Sequence, residues 1–130
     1  MDKVVVRQNQ RYEVTMMVQA EEDKHLHQVS EIYELSPYTM MLASLGLCTG
    51  VVVHSYAHHH GVPLEMAEIT TTYHREEVQD PDATTPYNEW IEEAVTFEGD
   101  LSDKQLTVLE RVAHHCSIRK MLESGIEIPT

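Results

Sequence analysis

Positive charge is what this chain has least of: nine Lys and Arg stand against 22 Asp and Glu, a formal net charge of −13 over 130 residues. A surface so acidic repels phosphate backbones and anionic headgroups at long range, which argues against nucleic acid and membrane surfaces as partners. Long hydrophobic runs are missing as well. The longest mostly apolar stretch, Met40 to Val53, is short for a bilayer and carries Ser44 and Thr49, so it reads as a core helix rather than a span. The opening "MDKVVVRQNQRYE" lacks the basic start, apolar stretch and cleavage site of a signal peptide, and the expected location is the cytosol. No internal repeat or low-complexity tract is present, and the length suits one domain over 1–130. Cysteine is scarce: Cys48 and Cys116 are the only two. In a reducing compartment two thiols make a weak case for a structural disulfide and a better one for a redox or metal role, with two inert buried thiols as the plain alternative.

The apolar patterning predicts an α+β chain. Val4 to Val6 and Tyr12 to Ala20 read as an antiparallel strand pair around the polar "RQNQ", with a third short strand near Leu26 to Val29. Ser36 is a good N-cap and Pro37 suits the first helical position, so a helix starts there and runs to His60, stopped by Gly61 with Pro63 beyond. This helix is apolar almost all round between Met40 and Val53, and in so small a protein a second copy of the chain is the simplest cover, which implies a homodimer. Leu64 to His74 and Trp90 to Phe97 read as strands joined by the loop "QDPDATTPYN". Ser102 and Gln105 form a capping box for a helix with Leu106, Leu109, Ala113 and Cys116 on one face; Ser117 caps a further turn closed by Gly125, and "IEIP" reads as a last strand.

Local surroundings separate the two thiols. Cys48 lies far from the start of its own helix among Ser44, Leu45, Val51 and Val52, a setting that raises a thiol pKa, so it looks inert unless donors or a cation come from elsewhere. Cys116 stands at a helix junction with Arg119 and Lys120 close behind, which favours a thiolate, although it equally completes the apolar face of Leu109 and Ala113. Nine histidines raise a metal site: His54 and His58 are one turn apart, His114 and His115 adjoin Cys116, and His25 and His27 share a strand face. The stronger reading is no metal, because CxxC and HExxH spacings are absent and His58, His59 and His60 suit a helix C-terminus.

Taken in order, "PYTMMLASLGLCT" (Pro37 to Thr49), strands, a capped helix and "CSIRKML" (Cys116 to Leu122) resemble the OsmC/Ohr family of thiol-dependent hydroperoxide reductases, over Pro37 to Ile128. The resemblance implies antiparallel sheets wrapped around long central helices in an intertwined homodimer. It also implies Cys48 as the peroxidatic and Cys116 as the resolving cysteine, a hydroperoxide as substrate, an external dithiol as reductant, and no cofactor. Members with strong peroxidase activity usually carry a carboxylate directly after the proline, which orients an N-terminal arginine over the reactive thiolate. Here that place holds Tyr38, and the candidate cations are Arg7 and Arg11, because Lys24 is the only strong cation between Arg11 and Arg75. The leading expectation is an organic hydroperoxide reductase. The alternatives are an OsmC-like ligand-binding or redox-sensing module of weak catalytic power, and a His and Cys metal-binding protein.

Overall fold

The computed structural model describes residues 2–20, 22–82, 84 and 86–130. The N-terminal apolar segments pair as expected: β1 (Lys3–Asn9) and β2 (Val14–Gln19) run antiparallel with Val6 opposite Met16, and β3 (His27–Gln28) adds a short edge to β2. β4 (Leu64–Glu77) lies on the other side of β1 and pairs with β5 (Tyr87–Gly99), which completes one antiparallel sheet in the order β3-β2-β1-β4-β5. Both long strands outrun the apolar alternation that announced them, because pairing continues past His74–Trp90 to Glu77–Tyr87 through polar residues. Backbone hydrogen bonds carry that extension. A short 3₁₀ turn at Ile32–Glu34, which the sequence pattern did not announce, leads into the first long helix.

That helix, α1 (Pro37–His60), has the predicted bounds for the predicted reasons. Ser36 Oγ accepts from the Thr39 N–H, the Thr39 hydroxyl accepts from the Ser36 N–H, Pro37 opens the first turn, and Gly61 closes the last in a left-handed conformation. Length and composition alone would let α1 cross a bilayer, but half of its most apolar window is buried inside the protein. The helix lies against β1 and β4 at short range. A Cβ at Gly46 would stand 3.0 Å from Val6 Cγ2, and one at Gly50 would stand 2.6 Å from Gln8 Oε1, so glycine is what permits the approach.

Two apolar clusters flank this contact. Leu42 and Ala43 pack with Val4, Val6 and Val18 toward the start of α1, while Val53 and Ala57 pack with Leu64, Ile69, Leu109 and Ala113 toward its end. Burial of a side chain such as Leu42, Ile69 or Leu109 contributes about 1.5–3 kcal/mol each. Leu109 and Ala113 belong to α2 (Asp103–Ala113), which Ser102 and Gln105 cap reciprocally as expected. α3 (Ser117–Ser124) follows after a tight turn. The expected last strand does not form: among the described residues 126–130 join no strand, and Ile126 and Ile128 are largely exposed. Alternation supplies a face, but a strand also needs a partner edge.

Candidate active site

Cys48 sits half-buried on α1 between the two apolar clusters, with the start of α3 facing it. The chain leaves α2 through His114 and His115, whose N–H groups donate to the carbonyls of Arg111 and Val112. Cys116 then takes an extended backbone, and α3 starts at Ser117. The N-cap is therefore Cys116, not Ser117 as the sequence suggested: its fully buried Sγ accepts the Arg119 N–H at 3.4 Å. A cap on Cys116 frees the Ser117 hydroxyl, which lies 3.8 Å from Cys48 Sγ.

This arrangement treats the two thiols differently. Burial pushes Cys48 up, but the Cys116 thiol, the N–H groups of Ile118 and Ser117, and the Ser117 hydroxyl all donate toward it and more than offset the burial, so its pKa falls below the ordinary thiol value. Burial and the same shared hydrogen bond push Cys116 up. Of the two sulfurs Cys48 is thus the one on which the anion is favoured, and Cys116 the one on which the proton is favoured. The donors come from the first turn of a helix distant in sequence, which is why the immediate neighbours of Cys48 gave no sign of them.

A charged network braces the pair. Glu93 on β5 is 4 % exposed at its side chain; it accepts from Thr49 Oγ1 at 2.9 Å and from Arg119 Nη1 at 3.3 Å, while Arg119 Nε donates to Glu123 at 3.0 Å. Burial raises the Glu93 pKa against the pull of Thr49 and Arg119. Through this one carboxylate α1, β5 and α3 are tied together beside both sulfurs. Glu93 was not singled out from the sequence, although a signal existed. It shares the inward parity of β5 with Ile91, Val95 and Phe97, and a carboxylate on an apolar face needs a reason.

Beside the Glu93–Arg119 bond opens a cavity of about 410 Å³, walled by Met41, Leu45, Ile91 and Leu122, with Trp90 and Tyr73 at its side. Tyr73 donates to Glu89 at 2.6 Å, and that bond to the carboxylate pushes the phenol up to about 12. Tyr38 rests on Tyr73 with ring centroids 5.0 Å apart. Arg7 bonds Glu68 and Glu98 on the sheet face turned away from α1, whereas its neighbours Val6 and Gln8 face the helix. Arg11 is exposed and pairs with Glu13 at 3.6 Å. The structure therefore brings Cys48 and Cys116 together, sets Tyr38 near the cavity, and engages Arg7 and Arg11 elsewhere.

His54, His58 and His60 of α1 bond to backbone carbonyls. His54 Nε2 donates to the Gln8 carbonyl at 2.6 Å and His58 Nε2 to the Gln10 carbonyl at 2.7 Å; a carbonyl only accepts, so the ring proton is on Nε2 in each. Among the described residues no group of three or more His, Cys, Asp and Glu is arranged to hold a metal ion.

Residues 30–130 match the family model described as OsmC-like protein. The chain belongs to the OsmC-like family. Solved OsmC-like structures share its fold at low identity. An OsmC-like hydroperoxide resistance protein from Jannaschia sp. is 12% identical with a TM-score of 0.63, over 98% of this chain and 89% of that one. An OsmC-like protein from Mycoplasma pneumoniae is 11% identical with a TM-score of 0.51, over 92% of this chain and 85% of that one. No curated protein matches the sequence. At such identities the shared α+β architecture, an antiparallel sheet with three helices, is what the likeness conveys.

Proposed function

We propose that this OsmC-like protein is a cytosolic thiol peroxidase that reduces organic hydroperoxides to alcohols through Cys48 and Cys116, as a homodimer. The observation that carries the reading is the placement of the two thiols side by side at the start of α3, Cys48 facing Ser117 and Cys116 capping the helix, in surroundings that lower Cys48 and raise Cys116. The Cys48 thiolate attacks the terminal peroxide oxygen, the O–O bond breaks, and the sulfur is oxidised by two electrons to a sulfenic acid. The leaving alkoxide takes the proton that Cys116 had been donating, and departs as the alcohol. That transfer leaves Cys116 as a thiolate beside an electrophilic sulfur. It attacks Cys48, the S–O bond breaks, hydroxide leaves and is protonated by solvent, and a disulfide forms. An external dithiol then restores both thiols by exchange.

Other features support parts of this reading. The cavity bounded by Glu93 and Arg119 has apolar walls and a volume within the range of small-molecule sites, which suits an organic hydroperoxide better than hydrogen peroxide. Met40 and Val51 stand exposed on α1, and Val14 and Met17 on β2, apolar surface of the kind that a second copy covers.

The test is a stoichiometric reaction of the reduced protein with cumene hydroperoxide, followed by mass spectrometry. The expected result is rapid loss of two thiols with an internal Cys48–Cys116 disulfide, and sustained turnover once dithiothreitol is supplied. Thiols that survive excess peroxide for hours would remove the peroxidase reading. Sedimentation of the same sample checks the dimer.

A further inference from the structure

The charges around the cavity say more about its occupant than its walls do. Three carboxylates line it, those of Glu89, Glu93 and Glu123, against one guanidinium, that of Arg119. Arg119 is already engaged on both sides, by Glu93 at 3.3 Å and Glu123 at 3.0 Å. Among the described residues of this chain an entering anion would find no unmatched positive charge there. Glu89 adds a further negative charge at the Tyr73 side, and its bond with the phenol hydroxyl does not neutralise it. Even with Glu93 protonated, two carboxylates would face one cation. The apolar walls meanwhile offer Trp90, stacked on His74 and still 44% exposed, as a flat surface for a ring or branched alkyl group.

From this juxtaposition, a cavity that shares Glu93 and Arg119 with the network bracing the thiol pair, apolar in its walls and negative in its lining, we infer that the protein selects uncharged hydroperoxides with a bulky apolar or aromatic group and excludes those that carry a carboxylate. The inference rests on the peroxidase reading above and deepens it by naming the substrate class. The physical ground is simple. A carboxylate brought into this space gives up water and meets like charge in a medium that screens poorly, whereas its ester meets only apolar contacts. The chain as a whole, at −13, adds to the repulsion at long range, so the local contribution must be separated from the global one.

A matched pair of probes does this: cumene hydroperoxide bearing a para-carboxylate, and the methyl ester of the same compound. The measurement is the single-turnover rate of Cys48 oxidation at low salt, with wild type, a Glu89→Gln/Glu123→Gln variant, and an Asp100→Asn/Glu110→Gln variant that removes the same number of exposed charges elsewhere. In wild type the ester is expected to react about tenfold faster than the acid, with the gap closing as salt rises. The ratio is expected to fall toward one in the Glu89/Glu123 variant and to stay near its wild-type value in the other. Equal rates for acid and ester in wild type would overturn the inference while leaving the peroxidase reading intact. So would an equal loss of discrimination in both variants, which would assign it to the surface at large. A wild type that oxidises Cys48 with neither probe, nor with cumene hydroperoxide itself, would overturn the peroxidase reading and this inference with it.

Discussion

Cys48 and His54 share one helix, and the protein treats their charges in opposite ways. Around Cys48 the first turn of α3 supplies N–H groups, a hydroxyl and a thiol proton, and the anion is favoured despite burial. His54 is fully buried beside a second hollow of about 340 Å³; its Nε2 proton is spent on the Gln8 carbonyl, and its Nδ1 has no hydrogen-bond partner. Burial there pushes the imidazole pKa down, and the nearby His58 pushes it further, so the cation is refused. A histidine, usually the more reactive-looking residue, is here a neutral strut. A cysteine among aliphatic neighbours is the group whose charged form is favoured. What decides is the balance between burial and the hydrogen-bond partners that face the group, more than the residue type.

The comparison breaks most visibly at the sulfurs. Cys48→Ser is expected to lower the rate of peroxide consumption by about a thousandfold or more, since the hydroxyl has no base to activate it. Cys116→Ser should keep the first oxidation and lose turnover, with sulfenic acid trapped by dimedone and seen by mass. Next in size is the brace. Arg119→Met leaves the buried Glu93 without its counter-charge and is expected to cost about 2 kcal/mol in urea unfolding at neutral pH. The sign with pH follows from Glu93, whose folded pKa is raised. The stability it contributes is full below its ordinary value of 4.5 and is lost as pH rises through the folded value, so the Arg119→Met deficit should shrink on acidification.

The His54 side of the comparison gives a shift of opposite sense. Its folded pKa is depressed, so the stability it contributes is full above 6.5 and is lost as pH falls through the folded value. His54→Gln should lower the melting temperature at pH 7 yet flatten its decline toward pH 5, which thermal scans at several pH values would read. Ser117→Ala removes one donor of several, and iodoacetamide alkylation of Cys48 at pH 7 is expected to slow about twofold. Smallest is Arg7→Ala, expected to stay within about 0.5 kcal/mol in stability and twofold in turnover, because its partners, the half-buried Glu68 and the exposed Glu98, lie on the far face of the sheet. A tenfold loss of turnover there would instead bring a guanidinium to Cys48.

Local signals proved legible wherever a short stretch settles the matter by itself. Ser36, Pro37 and Gly61 bound α1, and Ser102 with Gln105 starts α2, because caps act within a few residues. The tail from Ile126 fails for the complementary reason: strand pairing is a property of two segments, and one alone cannot declare it. The site fell between these cases. That Cys48 gains nothing from its own helix was readable from its distance to Pro37. That α3 would point its first turn at Cys48 was not, because it depends on the docking of α2 through Leu109 and Ala113 and on the turn at His114 and His115. Arg119 was visible as a neighbour of Cys116, yet its bond to Glu93 joins residues far apart in the chain.

The cap on α3 has one more consequence. Cys116 sulfur holds the first turn of that helix by accepting the Arg119 N–H, and in the proposed cycle the same atom closes the disulfide. A sulfur drawn into a disulfide must turn toward Cys48 and is a poorer acceptor, so oxidation loosens the turn, a change on the scale of a lost N-cap, about 1 kcal/mol. In that cycle the redox state of the protein would be written into the firmness of a short surface helix. The oxidised form announces itself to a reductant by a local softening at the very bond to be opened.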